Sequence, residues 1–334
     1  MTTMKAIRAH LRGGPEVLVY EDAPIPEVGP EDLLIEVHAA AITFTELLWD
    51  ETWLRDGVPR TPIIPSHETS GRITAVGADV VGYAKGDDVF ALIPFDRDGA
   101  AAEFALLPAE CANHKPPEID HASASALPLA ALTAWQALVD HARITAESRV
   151  LVHGAAGGVG QFAVQIAKLL GADVTATARG KDLPLLDSLG ADQTIDFEKG
   201  RFDDHGRSYD AVLYAVPGAP DERSYRILRE GGVLVTLNAP ADPMLLAQNK
   251  ITGAFFIVRA DVAQMEHLAL MSRRRPHVRA DCRDVPTGAG PTRIRKRGRL
   301  RTQTRQDRSD GSERAQAPSD VIGSSPSRAS GFTR

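Results

Sequence analysis

The sequence predicts an α/β protein in which a β-rich region precedes a doubly wound parallel sheet. In residues 4–119, short alternating or apolar runs such as 33–37 and 71–76 are separated by Pro and Gly, which is typical of strands joined by turns. Beyond them, strand and helix patterns alternate over residues 124–237. Such alternation indicates βαβ units with parallel strands.

The elements of the second region follow from their apolar spacing. The pattern predicts helices over 124–138, 157–170, 183–189, 224–228 and 262–271, and strands over 149–153, 173–178, 211–215, 233–237 and 253–258. The aromatic and β-branched content of 253–258 suits a sheet edge that pairs with a second subunit, and it equally suits an ordinary buried strand. We expect three parts, residues 1–120, 121–271 and 272–334.

Composition favours a cytoplasmic protein that does not enter a membrane. The 334 residues are 43% hydrophobic, but no run approaches about eighteen consecutive apolar residues. The N-terminal residues lack the pattern of a secretory signal. Cys111 and Cys282 are far apart, which argues against a disulfide framework or a cysteine-based metal site.

A glycine-rich turn between the predicted strand 149–153 and helix 157–170 is the candidate nucleotide site. Its candidate cofactor-binding residues are Ala155, Ala156, Gly157, Gly158, Val159 and Gly160. Gly157 would let the backbone approach a pyrophosphate and Gly160 would let helix and strand pack closely, while N–H groups at the helix start would meet the negative charge. A Gly-Ala-rich turn that merely joins two elements is the alternative.

The next predicted strand favours NADPH over NADH. An NAD site usually has an acidic residue about twenty positions beyond the glycines, whereas this strand leads to Arg179 and Lys181. Two cations there would bind the 2′-phosphate of NADPH through charge-assisted hydrogen bonds. The alternative is a solvated loop with ordinary surface cations.

These segments together resemble the medium-chain dehydrogenase/reductase superfamily, in its zinc-free, quinone-reductase-like, NADPH-dependent branch. The resemblance covers about residues 4–271 and rests on the glycine-rich turn and on residues 38–43, 65–71, 76–77, 86–89 and 132–135. It implies a catalytic domain like the chaperonin-10 (GroES) barrel, a six-stranded Rossmann sheet, a substrate cleft between them, and a homodimer.

The resemblance also bears on zinc. Relatives with catalytic zinc have ligands at positions that hold Thr43, His67 and Leu129 here, so one ligand of three is retained and a tetrahedral site with three protein ligands cannot be assembled. We therefore expect no metal. His67 and Glu68 are interpreted as structural, with Glu68 bonding backbone amides in a turn.

Without a metal to polarise a carbonyl, alcohol oxidation is disfavoured. The resemblance favours NADPH-dependent reduction of a quinone or an α,β-unsaturated carbonyl, with the developing oxyanion stabilised by hydrogen-bond donors. Thr45 is the candidate catalytic donor, and the alternative is that its hydroxyl bonds its own backbone. A position that holds Tyr in some relatives is Leu48 here.

Four further residues are candidates for the same cleft. By resemblance, Thr133 approaches the nicotinamide end of the cofactor, and Asn238 lies where the chain passes it. Trp49 and Trp53 either line an apolar substrate pocket or belong to the core.

Residues 272–334 differ from the rest of the chain. They contain 16 of the 38 Lys and Arg residues but 6 of the 44 Asp and Glu residues, and their low apolar content predicts disorder. A frame-shifted coding sequence, a basic tail that binds nucleic acid, and a flexible tail without a role are the three explanations. The acidic remainder argues against general nucleic-acid affinity. If closing strands are missing, the protein would bind NADPH without turnover.

Overall fold

The computed structural model describes residues 2–203, 208–274, 281–285 and 294–298. The strands in these ranges are β1 (Thr3–Ala9), β2 (Leu18–Pro24), β3 (Asp32–Ile42), β4 (Leu54–Arg55), β5 (Val58–Pro59), β6 (Glu68–Val76), β7 (Asp88–Leu92), β8 (Phe104–Pro108), β9 (Ala112–His114), β10 (Arg149–His153), β11 (Asp173–Ala178), β12 (Gln193–Asp196), β13 (Tyr209–Tyr214), β14 (Leu228–Thr236), β15 (Thr252–Phe255), β16 (Asp281–Val285) and β17 (Ile294–Gly298). The α-helices are α1 (Asp50–Trp53), α2 (His121–Ser125), α3 (Ala130–Trp135), α4 (Gly158–Leu169), α5 (Leu183–Ser188), α6 (Glu222–Arg226), α7 (Pro243–Asn249) and α8 (Val262–Arg274).

The first region is β-rich, as the sequence predicted. β3 pairs antiparallel with β6 on one edge, and residues 32–36 of β3 pair antiparallel with β8. β6 continues to β7 and β7 to β9. Leu33, Ile35 and Ile73 are fully buried in the core of this sheet, because alternate side chains of a strand point to the same face.

The second region is a six-stranded sheet in the order β12-β11-β10-β13-β14-β15. Each neighbouring pair is parallel, which confirms the predicted doubly wound parallel sheet. The strand order reverses between β10 and β13, the point where such sheets bind ligands beyond the carboxyl ends of their strands.

Several elements differ from the sequence prediction. The helix predicted over 124–138 is divided, because Pro128 lies between α2 and α3 and a proline is tolerated only in the first turn of a helix. A π-helix over Gln136–His141 follows α3. β12 was not predicted, and Leu228 begins β14 rather than ending a helix.

β15 lies at the edge of the parallel sheet. Phe255 is 46% exposed and Ile257, two residues after it, is 55% exposed. Of the two alternatives for this segment, the edge strand is therefore the one observed. The observed strand is shorter than the predicted strand 253–258 and begins one residue earlier.

Within the C-terminal segment, the structure describes two short strands. β16 pairs antiparallel with β17, and β17 pairs in parallel with residues Ala40–Ile42 of β3. The remainder of 275–334 lies outside the described residues, so the three explanations for this segment stay predictions. Across the described ranges, no helix combines the length and apolarity needed to cross a bilayer.

Candidate active site

A cavity of about 440 Å³ lies where the carboxyl ends of β10, β13 and β14 face the β-rich region. The sequence-predicted residues that line it are Thr45, Thr133, Gly157, Gly158, Val159, Gly160 and Asn238. The structure therefore brings the candidate catalytic threonine and the glycine-rich turn to one cavity. Ala155 and Ala156 do not line it, and Ala155 is fully buried beneath the turn.

The turn depends on Gly154, which the sequence analysis missed. Gly154 lines the cavity with a φ of +70°, a conformation that favours glycine. A Cβ atom on Gly160 would lie 2.3 Å from the carbonyl oxygen of Gly154 and 2.6 Å from the Cα atom of Ala155. The signal for Gly154 was present in the sequence as a glycine directly after a buried strand.

The start of α4 has the properties of a phosphate site. Its N-cap is Gly157, which has no side chain to cap the helix, and the first N–H groups of any α-helix lack partners within the helix. These groups and the helix dipole attract anions. Because positions 157, 158 and 160 are glycines without side chains, the residues present fit the pyrophosphate of a dinucleotide.

Arg179 and Lys181 line a separate cavity of about 370 Å³ with Asp196, Glu198 and Lys199. The Nε atom of Arg179 lies 3.4 Å from the Oε1 atom of Glu198, and both side chains are more than half exposed. The two cations were predicted from the sequence, but their carboxylate neighbours were not, because β12 brings these carboxylates there. A 2′-phosphate would therefore compete with Glu198 for Arg179.

The hydroxyl groups near the main cavity differ in their availability. Thr133 donates a hydrogen bond from Oγ1 to the carbonyl oxygen of Leu129 at 2.6 Å, so its proton is already engaged. The Oγ1 atom of Thr43 is shielded from water and lacks a partner among the described residues. Thr45 is exposed and lines the cavity, which makes its hydroxyl the more accessible donor.

Two aromatic rings form one wall of the cavity. Trp49 and Phe95 both line it, and their ring centroids are 5.4 Å apart in an edge-to-face contact. Trp53 instead is buried and donates from Nε1 to the carbonyl oxygen of Leu47 at 2.8 Å. Of the alternatives for these tryptophans, Trp49 belongs to the pocket and Trp53 to the core.

The surviving position of the zinc set is occupied by a buried, neutral histidine. His67 packs edge-to-face against Phe95 with ring centroids 5.1 Å apart. Burial lowers the pKa of His67 to about 3, and the positive charge of Arg60 acts in the same direction. No group of three metal-binding side chains occurs among the described residues.

Glu68 has the structural role that the sequence analysis expected. Its Oε1 atom accepts a hydrogen bond from the backbone N–H of Leu129 at 2.9 Å. Leu129 immediately precedes α3, so the carboxylate ties the start of β6 to the helix that carries Thr133.

Glu51 and Asn238 complete the polar part of the cavity. Asn238 donates from Nδ2 to the carbonyl oxygen of Val216 at 2.8 Å, which joins the loops after β13 and β14. Glu51 is an ionisable residue in the lining that the sequence analysis missed, because nothing in its local pattern distinguishes it from a surface glutamate.

The arrangement defines a class of protein, a nicotinamide-dependent oxidoreductase built from a β-rich domain and a dinucleotide-binding sheet. Residues 29–117 match the family described as the alcohol dehydrogenase GroES-like domain, and residues 158–270 match the family described as zinc-binding dehydrogenase.

Relatives and solved structures agree with this class. A chloroplastic quinone oxidoreductase of Triphysaria versicolor is 32% identical over 251 residues, covering 72% of this chain and 76% of the relative. A chloroplastic NADPH-dependent alkenal/one oxidoreductase of Arabidopsis thaliana is 33% identical over 240 residues, covering 69% of this chain and 61% of the relative. The quinone oxidoreductase structure from Coxiella burnetii superposes with a TM-score of 0.74 at 28% identity, covering 82% of this chain and 88% of that one.

The chain belongs to the medium-chain dehydrogenase/reductase superfamily, in its quinone-oxidoreductase-like branch. It is an oxidoreductase that uses a nicotinamide cofactor, NADH or NADPH.

Proposed function

We propose that this protein is a zinc-independent, NADPH-dependent reductase of quinones or α,β-unsaturated carbonyl compounds. The observation that carries the proposal is the single cavity into which the glycine-rich turn, Thr45 and Trp49 all open. A nucleotide held at the turn and an apolar substrate against the tryptophan would meet there.

The cofactor would be held by residues of the second region. The N–H groups at the start of α4 bind the pyrophosphate, and Arg179 with Lys181 binds the 2′-phosphate. Thr133 and Asn238 line the cavity and would lie beside the nicotinamide. When bound, the cofactor supplies the hydride, and holding both reactants in one cavity makes the transfer local rather than bimolecular.

Residues of the chain itself would then orient the substrate and hydrogen-bond to its oxygen. Trp49 and Phe95 give an apolar wall, and Thr45 offers a hydroxyl to the oxygen on which negative charge develops. Neutral quinones and enones suit these walls.

Zinc independence is proposed because Thr43 and Leu129 stand at two ligand positions and neither offers a thiolate or an imidazole. His67 alone cannot hold a catalytic zinc with an open position. Glu68 is committed to the backbone of Leu129.

The test measures oxidation of NADPH and of NADH with a benzoquinone or an alkenal as the acceptor. A separate assay measures reduction of NADP⁺ by a primary alcohol. We expect turnover of the quinone or the alkenal that is unchanged after dialysis against EDTA. Activity that is lost with EDTA and restored by zinc would overturn the proposal.

Saturable NADPH binding without turnover on any of these compounds would instead favour a cofactor-binding protein that does not catalyse.

A homodimer formed along β15 and a cytoplasmic location remain proposals, and sedimentation and cell fractionation test them. Nucleic-acid binding through residues 272–334 would require an affinity that falls steeply with salt.

A further inference from the structure

We propose that a second cavity, in the β-rich region, binds the oxyanion group of a small ligand, a phosphate or a carboxylate. The cavity has a volume of about 520 Å³ and lies among β1, β2, the β4–β5 hairpin and β8. It shares no lining residue with the active-site cavity. The proposal is therefore independent of the proposed function.

The cavity concentrates positive charge. Arg8, Arg55, Arg60 and Arg97 line it, whereas Asp98 is the carboxylate among its lining residues. This cluster runs against the composition of the chain, because Asp and Glu outnumber Lys and Arg by 44 to 38. A local excess of guanidinium groups around a concave space is the usual arrangement for recognising phosphates and carboxylates.

Arg60 forms a fixed wall rather than a ligand-binding group. It donates from Nη1 to Asp98 at 3.0 Å, and from Nη2 to the carbonyl oxygens of Phe95 at 3.1 Å and Arg97 at 2.5 Å. Asp98 also accepts from the backbone N–H of Ile64 at 3.1 Å. Arg60 and Asp98 thus neutralise one another, and the carboxylate is not available to repel an anion.

The other three arginines have N–H groups beyond those used in their ion pairs. Their ion pairs are Arg8 with Glu21 at 3.1 Å, Arg97 with Asp32 at 2.8 Å and Arg55 with Asp96 at 4.0 Å. None of these three carboxylates lines the cavity. A guanidinium group carries five N–H donors, and the contact given for each pair involves one nitrogen, so further donors can bond a ligand.

The surroundings of Arg60 also affect its charge. Burial lowers the pKa of Arg60, and the nearby positive charge of Arg55 lowers it further although Asp98 opposes both effects. An anion in the cavity would be attracted by the neighbouring guanidinium groups, each of which also has a carboxylate partner. The volume is many times the roughly 30 Å³ of a water molecule, which admits a polyatomic anion with an organic remainder.

Calorimetric titration of the full-length protein with inorganic pyrophosphate and, separately, with citrate tests the proposal. We expect saturable binding of one or both, and the tighter probe identifies phosphate or carboxylate as the preferred oxyanion. Arg55→Gln is the informative variant because Arg55 is 53% exposed and its ion pair is loose, so the fold should persist, as circular dichroism will check. We expect about tenfold weaker binding, the usual effect of losing one charge-assisted contact. Arg55→Lys should bind with intermediate affinity, because it keeps the charge without the planar fork.

Arg12→Gln is the matched control. Arg12 is similarly exposed and pairs with Asp50, but it lines neither cavity. The Arg12→Gln variant should bind the probes with the affinity of the unmodified protein. Any binding of pyrophosphate at the glycine-rich turn should likewise be unchanged in this variant. Equal loss in Arg12→Gln and Arg55→Gln, equal affinity in Arg55→Gln and the unmodified protein, or no binding of either probe at millimolar concentration would overturn the proposal.

Discussion

The carboxylate of Glu68 is bonded to the backbone N–H of Leu129 at 2.9 Å, and both residues are buried. Glu68 begins β6 and Leu129 precedes α3, so this contact joins the β-rich region to the helix that carries Thr133 into the active-site cavity. A carboxylate at such a helix start also interacts favourably with the helix dipole. This buried carboxylate therefore links the two regions through one hydrogen bond.

Glu68→Ala should therefore destabilise the fold. It removes a buried charged acceptor and leaves the N–H of Leu129 unpaired, which costs about 1–3 kcal/mol. Glu68→Gln should cost less, because its amide oxygen still accepts. Urea unfolding measures both, with the exposed Glu147→Ala as a control expected to change the free energy of unfolding by less than about 0.5 kcal/mol. Equal stability of Glu68→Ala and the unmodified protein would contradict this role.

Gly160→Ala should abolish cofactor binding and lower stability. The added methyl group would lie 2.3 Å from the Gly154 carbonyl oxygen, which forces α4 away from the turn at a cost of about 1–3 kcal/mol. Gly200→Ala is the control, since its Cβ would meet nothing closer than 3.5 Å. Fluorescence titration with NADPH and urea unfolding measure the two effects. Normal NADPH affinity in Gly160→Ala would show that the turn does not hold the cofactor.

The sequence predicts those features that depend on local spacing. β10 and β11 have the bounds predicted for them, and α4 differs by one residue at each end, because apolar runs and glycines specify strand, turn and helix within a few residues. The division between α2 and α3 was also available from Pro128.

Features that depend on contacts between distant segments were not predictable. Phe95 comes from a loop after β7, yet its ring covers His67 and faces Trp49. Glu198 reaches Arg179 only because β12 pairs with β11. No periodicity encodes such pairings, because they follow from the order of strands in the sheet.

The contact between Arg179 and Glu198 leads to a prediction about cofactor preference. Arg179→Ala should lower kcat/KM for NADPH by about tenfold, the typical value of one charge-assisted contact, and leave NADH almost unaffected. Glu198→Gln should have the opposite effect, because it frees Arg179 for the 2′-phosphate. Steady-state kinetics with both cofactors measure the ratio. If Arg179→Ala lowers kcat/KM for both cofactors equally, Arg179 does not discriminate between them.

Thr45 and Glu51 both line the cavity, and matched variants test the role proposed for Thr45 against one for Glu51. If Thr45 stabilises the developing oxyanion, Thr45→Val should lower kcat by roughly tenfold or more with little change in NADPH affinity. Thr43→Val should retain activity, because the hydroxyl of Thr43 is shielded. Glu51→Gln should also retain most activity. A larger loss of kcat in Glu51→Gln than in Thr45→Val would transfer the role to Glu51.

Two buried histidines, His67 and His153, and the partly buried His121 predict how stability depends on pH. Burial is the main cause that lowers the pKa of His67 to about 3 and the pKa values of His121 and His153 to about 4, from an ordinary value of 6.5. Between these values the unfolded chain binds protons that the folded protein does not. Above pH 6.5 these histidines therefore cost the folded protein no stability. The free energy of unfolding decreases as the pH falls from 6.5 towards 4, by up to about 1.4 kcal/mol per pH unit for each histidine.

His153→Gln tests this dependence directly. His153 is buried between Phe202 and Tyr214, with Nδ1 3.1 Å from the hydroxyl of Thr177 and Nε2 3.3 Å from that of Ser224, so glutamine can retain part of this bonding without titrating. Urea unfolding at pH 7.5 and at pH 5 should show a smaller loss of stability on acidification in the variant than in the unmodified protein. An identical loss in both would mean that His153 takes up its proton as readily in the folded protein as in the unfolded chain.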